Sequence, residues 1–237
     1  MELFEQALGH IQGGRVLDVA TGQGGFVGIL AEGLGGYTQI VGIDITPRMI
    51  AGARRNTGKE RTHFILMDGS RLGFADESFD TVSISASLHH LADPSPIFDE
   101  MGRMLRPGGH LVVMEMHRDV TTEAQRTSTS LHTWAATVDL ALGHPHYPTL
   151  TRQQIMDHVA ALGLRHLAVY DWADEDSDPL YEGRLTALEG MLERYLAKGQ
   201  GLPDYPEIEA GATALRQRLR DVGAQAEPRL IIVGQKP

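Results

Sequence analysis

Short apolar runs alternating with stretches of helical spacing fill the first half of this chain, and no other feature restricts its fold as much. Arg15-Val16-Leu17-Asp18-Val19-Ala20 runs into Thr21-Gly22-Gln23-Gly24-Gly25, which reads as a buried strand opening into a glycine turn. Phe26 to Leu34 then carries apolar residues at helical spacing. Gln39 to Ile45 reads as a second strand, and Thr46 caps a helix with Pro47 at its first position. Thr62 to Met67 and Phe79 to Ser85 read as the third and fourth strands. Asp93-Pro94 starts a helix that runs to about Leu105. Arg106-Pro107-Gly108-Gly109 is a turn, and His110 to Glu115 is a fifth strand. Strands and helices alternating with a repeat of about 25 residues mean βαβ units and a parallel sheet.

The second half is less regular. Residues 118–150 are rich in Thr and His and are expected to be helical in part. Thr151-Arg152-Gln153-Gln154 has the capping-box pattern, with a helix following to about Leu162. Leu164 to Trp172 reads as a strand, 174–178 as an acidic loop, and Leu180 to Lys198 and Glu207 to Val222 as amphipathic helices. Arg229 to Val233 is a last strand. No repeat, low-complexity tract or linker composition divides the chain. It therefore reads as a single domain over 1–237, with insertions at 118–150 and 174–225.

The balance of charge narrows the partners. Lys and Arg number 21 against 31 Asp and Glu, a net charge of −10, which argues against nucleic acid. The cluster Arg48, Arg54, Arg55, Lys59 and Arg61 reads as a solvated helix face. There is no Cys, which excludes disulfides, zinc–thiolate sites and a thiol nucleophile. No apolar run approaches the roughly 20 residues needed to span a bilayer. Met1-Glu2-Leu3-Phe4-Glu5 is acidic and does not read as a signal peptide. The expectation is a cytoplasmic monomer or homodimer that acts on a small molecule, without a membrane or nucleic-acid partner.

In a parallel sheet the carboxyl ends of the strands share one edge, and ligands bind there. At those ends stand Gly22 and Gly24, where backbone can approach a ligand closely, then Asp44, Asp68-Gly69-Ser70, and Ser85-Ala86-Ser87-Leu88-His89-His90. Asp44, about 20 residues after the glycine turn, suits two vicinal ribose hydroxyls. Asp68 suits an exocyclic amine such as that of adenine. A dinucleotide site shares the glycine turn and the distant acid. Here, however, Val27 takes the place of the third glycine of that fingerprint. Asp18, inside the first strand, disfavours a pyrophosphate and suits a ligand bearing an ammonium group.

These residues resemble the class I S-adenosylmethionine-dependent methyltransferases of the small-molecule type, over roughly residues 14–116 and less fully over 151–173 and 228–236. Val16 to Gly24 resembles the first motif of that family, with Ala20 where Gly is common. Asp44 matches the ribose-binding acid and Asp68-Gly69 the adenine-contacting pair. Phe79 to Leu91 resembles the fourth motif, and Leu105 to Gly109 the turn before the fifth strand. The resemblance implies a doubly wound α/β fold. Its seven-stranded sheet would be mostly parallel, in order 3-2-1-4-5-7-6, with the seventh strand antiparallel and supplied by Arg229 to Val233. It also implies S-adenosylmethionine as cofactor, with S-adenosylhomocysteine as product. Asp18, Thr21, Gly22, Gly24 and Ala86 would line the site. Carbonyls near Ala20 and Ser85 would hold the methionine ammonium, and Ile45, Met49 and Leu88 would sandwich the adenine. A nicotinamide-dependent oxidoreductase and a cofactor-binding protein without transfer are the competing functions.

A sulfonium methyl is already a strong electrophile, so the protein needs chiefly to align a nucleophile and exclude water. A proton acceptor is needed only where the nucleophile is protonated. His89 and His90, after the fourth strand, are the candidates, and His117 follows the fifth strand at the same edge. Little chain precedes the first strand, so the lid over the site is expected from 118–150 and from 174–225. In the first of these His132, Trp134 and Tyr147 are expected to face the methyl donor. His144 and His146 have metal-ligand chemistry, but no second cluster accompanies them in sequence, and no metal is expected.

Overall fold

The computed structural model describes residues 2–58 and 60–237, so Lys59 of the basic cluster lies outside the described residues. The chain runs α1 (Glu2–Leu8), β1 (Gly14–Val19), α2 (Gly25–Gly33), β2 (Tyr37–Asp44), α3 (Pro47–Asn56), β3 (Thr62–Leu66) and β4 (Phe79–Ser85). A single 3-10 turn, Leu88–His90, leads to α4 (Ser95–Met104), β5 (Leu105–Met116), α5 (Glu123–Ala141), α6 (Arg152–Ala160) and β6 (Arg165–Trp172). The helices α7 (Glu182–Gly199) and α8 (Tyr205–Asp221) precede the last strand, β7 (Arg229–Gln235).

The seven strands form one sheet in the order β3-β2-β1-β4-β5-β7-β6. β1 pairs in parallel with β2 and β4, β2 with β3, and β4 with β5, while β7 runs antiparallel between β5 and β6. This is the topology implied by the motif order, with the last strand in the expected place. The central strands are near-continuous apolar runs because helices cover both faces. Leu17, Val19, Val82 and Ile84 pack with Phe98 and Met101 of α4 and with Ile155 and Val159 of α6. Val16 and Ile40 pack on the other face with Leu8, Val27, Leu30 and Ile50 from α1, α2 and α3.

The structure departs from the sequence reading at Arg106–Gly109. These residues lie within β5, where the pairing jumps from Phe79 beside Leu105 to Thr81 beside His110. Gly108 takes φ +76°, so the four residues bulge from the strand, and Asp80 anchors the bulge through an ion pair with Arg106.

The two insertions are one unit. Leu131 and Val138 of α5, Leu192 and Leu196 of α7, and Ile208, Ala212, Leu215 and Leu219 of α8 share a third apolar cluster. The resulting cap leaves the sheet after β5. Thr122 closes the start of α5 with a reciprocal capping box through Gln125, as Thr151 does for α6 through Gln154. Gln225 ties the cap ends together, accepting from Thr122 Oγ1 at 2.7 Å and donating to the carbonyls of Glu175 and Ser177. Among the described residues no helix is long and apolar enough to cross a membrane. Leu192 is fully buried at the centre of the cap. Leu192→Ala is expected to cost about 2–5 kcal/mol, the range for truncating a buried leucine, and urea denaturation would measure it.

Candidate cofactor and acceptor site

The turn after β1 is built from left-handed residues. Ala20 has φ +53°, Gly22 +53° and Gly24 +82°. A left-handed alanine is uncommon, and such strain gathers where a chain must present its backbone to a ligand. The two glycines serve different ends. A side chain at Gly22 would meet nothing within 4 Å, so this part of the turn faces open space. A side chain at Gly24 would collide with Thr57 and Ala53, so that glycine lets α3 pack against the turn.

Asp44, 9% exposed at the end of β2, joins this turn to α3. Its Oδ2 accepts from the Gly22 amide at 3.0 Å and its Oδ1 from the Thr46 amide at 2.8 Å. Each oxygen keeps acceptor capacity for a further donor. Next to it Ile45 is 67% exposed and Met49 is half-buried, an apolar surface at the strand ends. Asp68 is exposed, and its Oδ1 accepts from the Ser70 amide and hydroxyl at 2.9 and 2.8 Å. Gly69 is required by packing, since a side chain there would press on Val19 at 2.9 Å. Leu88 departs from the expectation. It is 1% exposed within the core that joins β4 to α4, so it offers no face to an adenine. The residue's apolar character came from packing of the loop after β4.

Asp18 is wholly buried. Thr21 Oγ1 donates to its Oδ2 at 2.7 Å and Ser83 Oγ to its Oδ1 at 2.8 Å. Burial raises its pKa to about 6 against the lowering effect of these two hydrogen bonds, and the negative charge of Asp44 raises it further. The carbonyls of Ala20 and Ser85 converge here. Ser87 Oγ lies 2.6 Å from the Ser85 oxygen and 3.3 Å from the Ala20 oxygen. Ala86 between them is exposed, with φ +43°. The open turn, the spare acceptors of Asp44, the exposed Ile45 and two convergent carbonyls beside a buried acid fit an adenosyl group carrying a cationic amino-acid tail.

The loop after β4 is held by Glu115 of β5. This carboxylate, 2% exposed, accepts from the Ser87 and Leu88 amides at 2.8 Å each and from the Met116 amide at 3.0 Å. It also lies 3.4 Å from Nδ1 of the buried His89. His90 Nδ1 lies 3.1 Å from the Pro145 carbonyl, and the Tyr147 amide donates to the His89 carbonyl at 2.7 Å. The segment after α5 therefore lies against the loop after β4 and brings His146 to it, with His132 of α5. The ring centroid of His89 is 4.3 Å from that of His90, 4.8 Å from His132 and 5.7 Å from His146. Burial lowers the pKa of both His90 and His146; neighbouring imidazoles add to this, and the Pro145 carbonyl and Asp139 respectively oppose it.

Trp134 does not join this group. Two residues beyond His132, it points to the other side of α5, donates from Nε1 to the Ile208 carbonyl at 3.0 Å, and packs on Gly211 of α8 and Tyr195 of α7. Helical periodicity forces this separation. Tyr147 is half-buried beside His89 through its backbone. His117 is buried, its Nδ1 has no partner, and burial lowers its pKa, but its charged neighbours are Asp119, Asp171, Arg152 and Glu227 rather than the other imidazoles. His144 is exposed and outside the group. The sequence reading passed over Glu115, Asp139 and Glu227. A carboxylate at the end of an otherwise apolar strand was the available signal for Glu115 alone.

A seven-stranded sheet of this order, with its last strand antiparallel, is the class I methyltransferase fold. A family described as a methyltransferase domain matches residues 17–113. A demethylmenaquinone methyltransferase of Clavibacter sepedonicus is 27% identical over 225 residues, covering 94% of this chain and 80% of that protein. One from Thermus thermophilus is 39% identical over 103 residues, 43% of this chain and 46% of the relative, so at this higher identity the match spans less than half the relative's length. Among solved structures, an S-adenosylmethionine-dependent methyltransferase from Mesorhizobium loti superposes with a TM-score of 0.57 at 18% identity, covering 99% of this chain and 96% of that one. A phosphoethanolamine N-methyltransferase of Haemonchus contortus, in complex with S-adenosylmethionine, gives 0.59 at 20% identity over all of this chain and 51% of that one. Residues 17–113 are thus similar to a methyltransferase domain, the sheet has the class I methyltransferase topology, and S-adenosylmethionine is the cofactor that these likenesses support.

The raised pKa of Asp18 sets a pH dependence. Between 3.8 and about 6 the folded protein keeps a proton that the unfolded chain has lost, so stability falls as pH rises through this window. The full loss is about 3 kcal/mol. Asp18→Asn is expected to flatten this part of the profile, read from urea midpoints at pH 4.5 and 7. A bound cation favours the ionised carboxylate, so calorimetry in buffers of different ionisation enthalpy should show proton release on cofactor binding near pH 5.5.

Proposed function

We propose that this chain transfers the methyl group to a small acceptor held between the loop after β4 and the helical cap, and that His90 takes the proton the acceptor loses. The observation that carries this is the contact of His90 Nδ1 with the Pro145 carbonyl at 3.1 Å. A carbonyl only accepts, so Nδ1 bears the hydrogen and Nε2 is left with a lone pair. His89, buried against Glu115, positions this loop. The cofactor, when bound, supplies an electrophilic methyl on a sulfonium. Asp44 holds the ribose hydroxyls, Ile45 and Met49 meet the adenine, and the carbonyls of Ala20 and Ser85 hold the ammonium. The cap, covering 118–150 and 174–225 as one unit, excludes water.

The named relatives favour a quinone-derived acceptor. The nucleophilic form of such a ring is the hydroquinone, whose hydroxyl or ring carbon gives up a proton as the bond to methyl forms. A neutral imidazole beside it meets that need. Asp44→Ala removes two acceptor atoms and is expected to weaken S-adenosylmethionine binding at least tenfold by calorimetry. His90→Gln should leave that affinity unchanged and lower kcat about 10²- to 10⁴-fold, followed as S-adenosylhomocysteine released with reduced demethylmenaquinone. Full turnover in His90→Gln would remove it as the proton acceptor. Undiminished cofactor binding in Asp44→Ala would remove the assigned donor site.

A further inference from the structure

His89, His132 and His146 reach one point from three separate segments, and the nitrogen each offers lies within 4.8 Å of the other two. All three rings are oriented alike towards acids. His146 Nδ1 lies 2.9 Å from Asp139 Oδ2, His89 Nδ1 3.4 Å from Glu115 Oε1, and His132 Nδ1 3.7 Å from Glu227 Oε2. The acids are themselves largely buried. Asp139 is further fixed by Tyr195 Oη at 2.8 Å and Lys198 Nζ at 3.4 Å, and Glu227 Oε1 is buried with no partner. Asp139, hydrogen-bonded to His146 Nδ1, holds the proton there and directs that ring's lone pair to Nε2, while Nδ1 of His89 and of His132 face their acids without a hydrogen bond.

The consequence appears between His132 and His146, whose Nε2 atoms stand 3.0 Å apart. The lone pair of His146 Nε2 at that distance calls for a hydrogen on His132 Nε2 or for a positive centre between the two nitrogens. A shared proton satisfies two nitrogens. The third imidazole, His89, with its own carboxylate behind it, calls for a centre that satisfies three.

We propose that His89, His132 and His146 form a binding site for one divalent transition-metal ion of the zinc class, ligated through Nε2 and backed by Glu115, Glu227 and Asp139. Zinc–imidazole bonds of about 2.0–2.1 Å in a tetrahedron place ligand nitrogens about 3.4 Å apart, close to the spacing of His132 and His146. His89 closes the third position by side-chain rotation. Three imidazoles suit zinc, cobalt, nickel or copper rather than calcium or magnesium, which take oxygen ligands. Three protein ligands leave the fourth position open. Given the transfer reading above, on which only this last step rests, an oxygen of the acceptor fills that position beside His90, and the metal lowers its pKa before methylation.

The test uses the untagged chain, stripped with chelator and titrated with Zn²⁺ and Co²⁺. One ion per chain is expected, with a four-coordinate cobalt absorption in the visible. X-ray absorption of the zinc-loaded wild type should count three imidazoles. His132→Gln and His146→Gln should each weaken zinc binding at least 100-fold and Asp139→Asn about tenfold, while His144→Gln, at an exposed residue outside the group, should bind as wild type. Circular dichroism and S-adenosylmethionine affinity check that each variant is folded, and the wild-type absorption result stands without them. No stoichiometric zinc, fewer than three imidazoles, or undiminished binding in folded His132→Gln and His146→Gln would overturn the site. Zinc held by three imidazoles in a chain that does not bind S-adenosylmethionine would instead sink the transfer reading and leave the metal site standing.

Discussion

The parallel pairing of β1 with β4, which sets Val19 beside Ile84, fixes where the proposed site lies. It brings Ser83 against Asp18, so the buried acid of β1 receives a hydroxyl from its neighbour and a second from its own turn. It also sets the two strand ends side by side, with Ala20 and Ala86 both in left-handed conformation. Strands that run in one direction end together, and helices on both faces leave the carboxyl edge as the open place for a ligand.

Glu115 couples this edge to the cap. Its carboxylate takes the amides of Ser87 and Leu88 and faces His89, so the conformation of the loop after β4 depends on a residue of β5. The segment following α5 then binds the same loop through Tyr147 and Pro145. The loop after β4 is thus joined both to β5 and to the segment after α5, and the contacts of Glu115 are buried and so costly to leave unmade.

The sheet, and the turn and acid on which the proposed donor site rests, were legible in the sequence. The apolar runs at β1, β2 and β4, the glycine turn and Asp44 are local signals, because a buried parallel strand and a strand-to-helix turn each impose their own composition over a few residues. The role assigned to Leu88 was not legible. An apolar residue in a loop looks the same whether it meets a ligand or packs on α4, and only burial distinguishes the two. The bulge at Arg106–Gly109 was hidden for a similar reason, since Pro-Gly-Gly reads as a turn until the register with Phe79 and Thr81 is known.

What the sequence by itself determined is the class of fold and the sheet edge at which the proposed cofactor site lies, since these follow from hydrophobic period and turn chemistry read along the chain. What only the tertiary structure decided is the histidine cluster of the proposed acceptor side. His89, His132 and His146, with Glu115, Asp139 and Glu227, come from positions scattered between the loop after β4 and the start of β7. No spacing rule connects them, because their proximity arises from how α5 and the cap close on the sheet. The separation of His132 from Trp134 is the clearest instance. The two are neighbours in an aromatic-looking segment, but a helix turns about 100° per residue, so one faces His89 and His146 and the other faces α8.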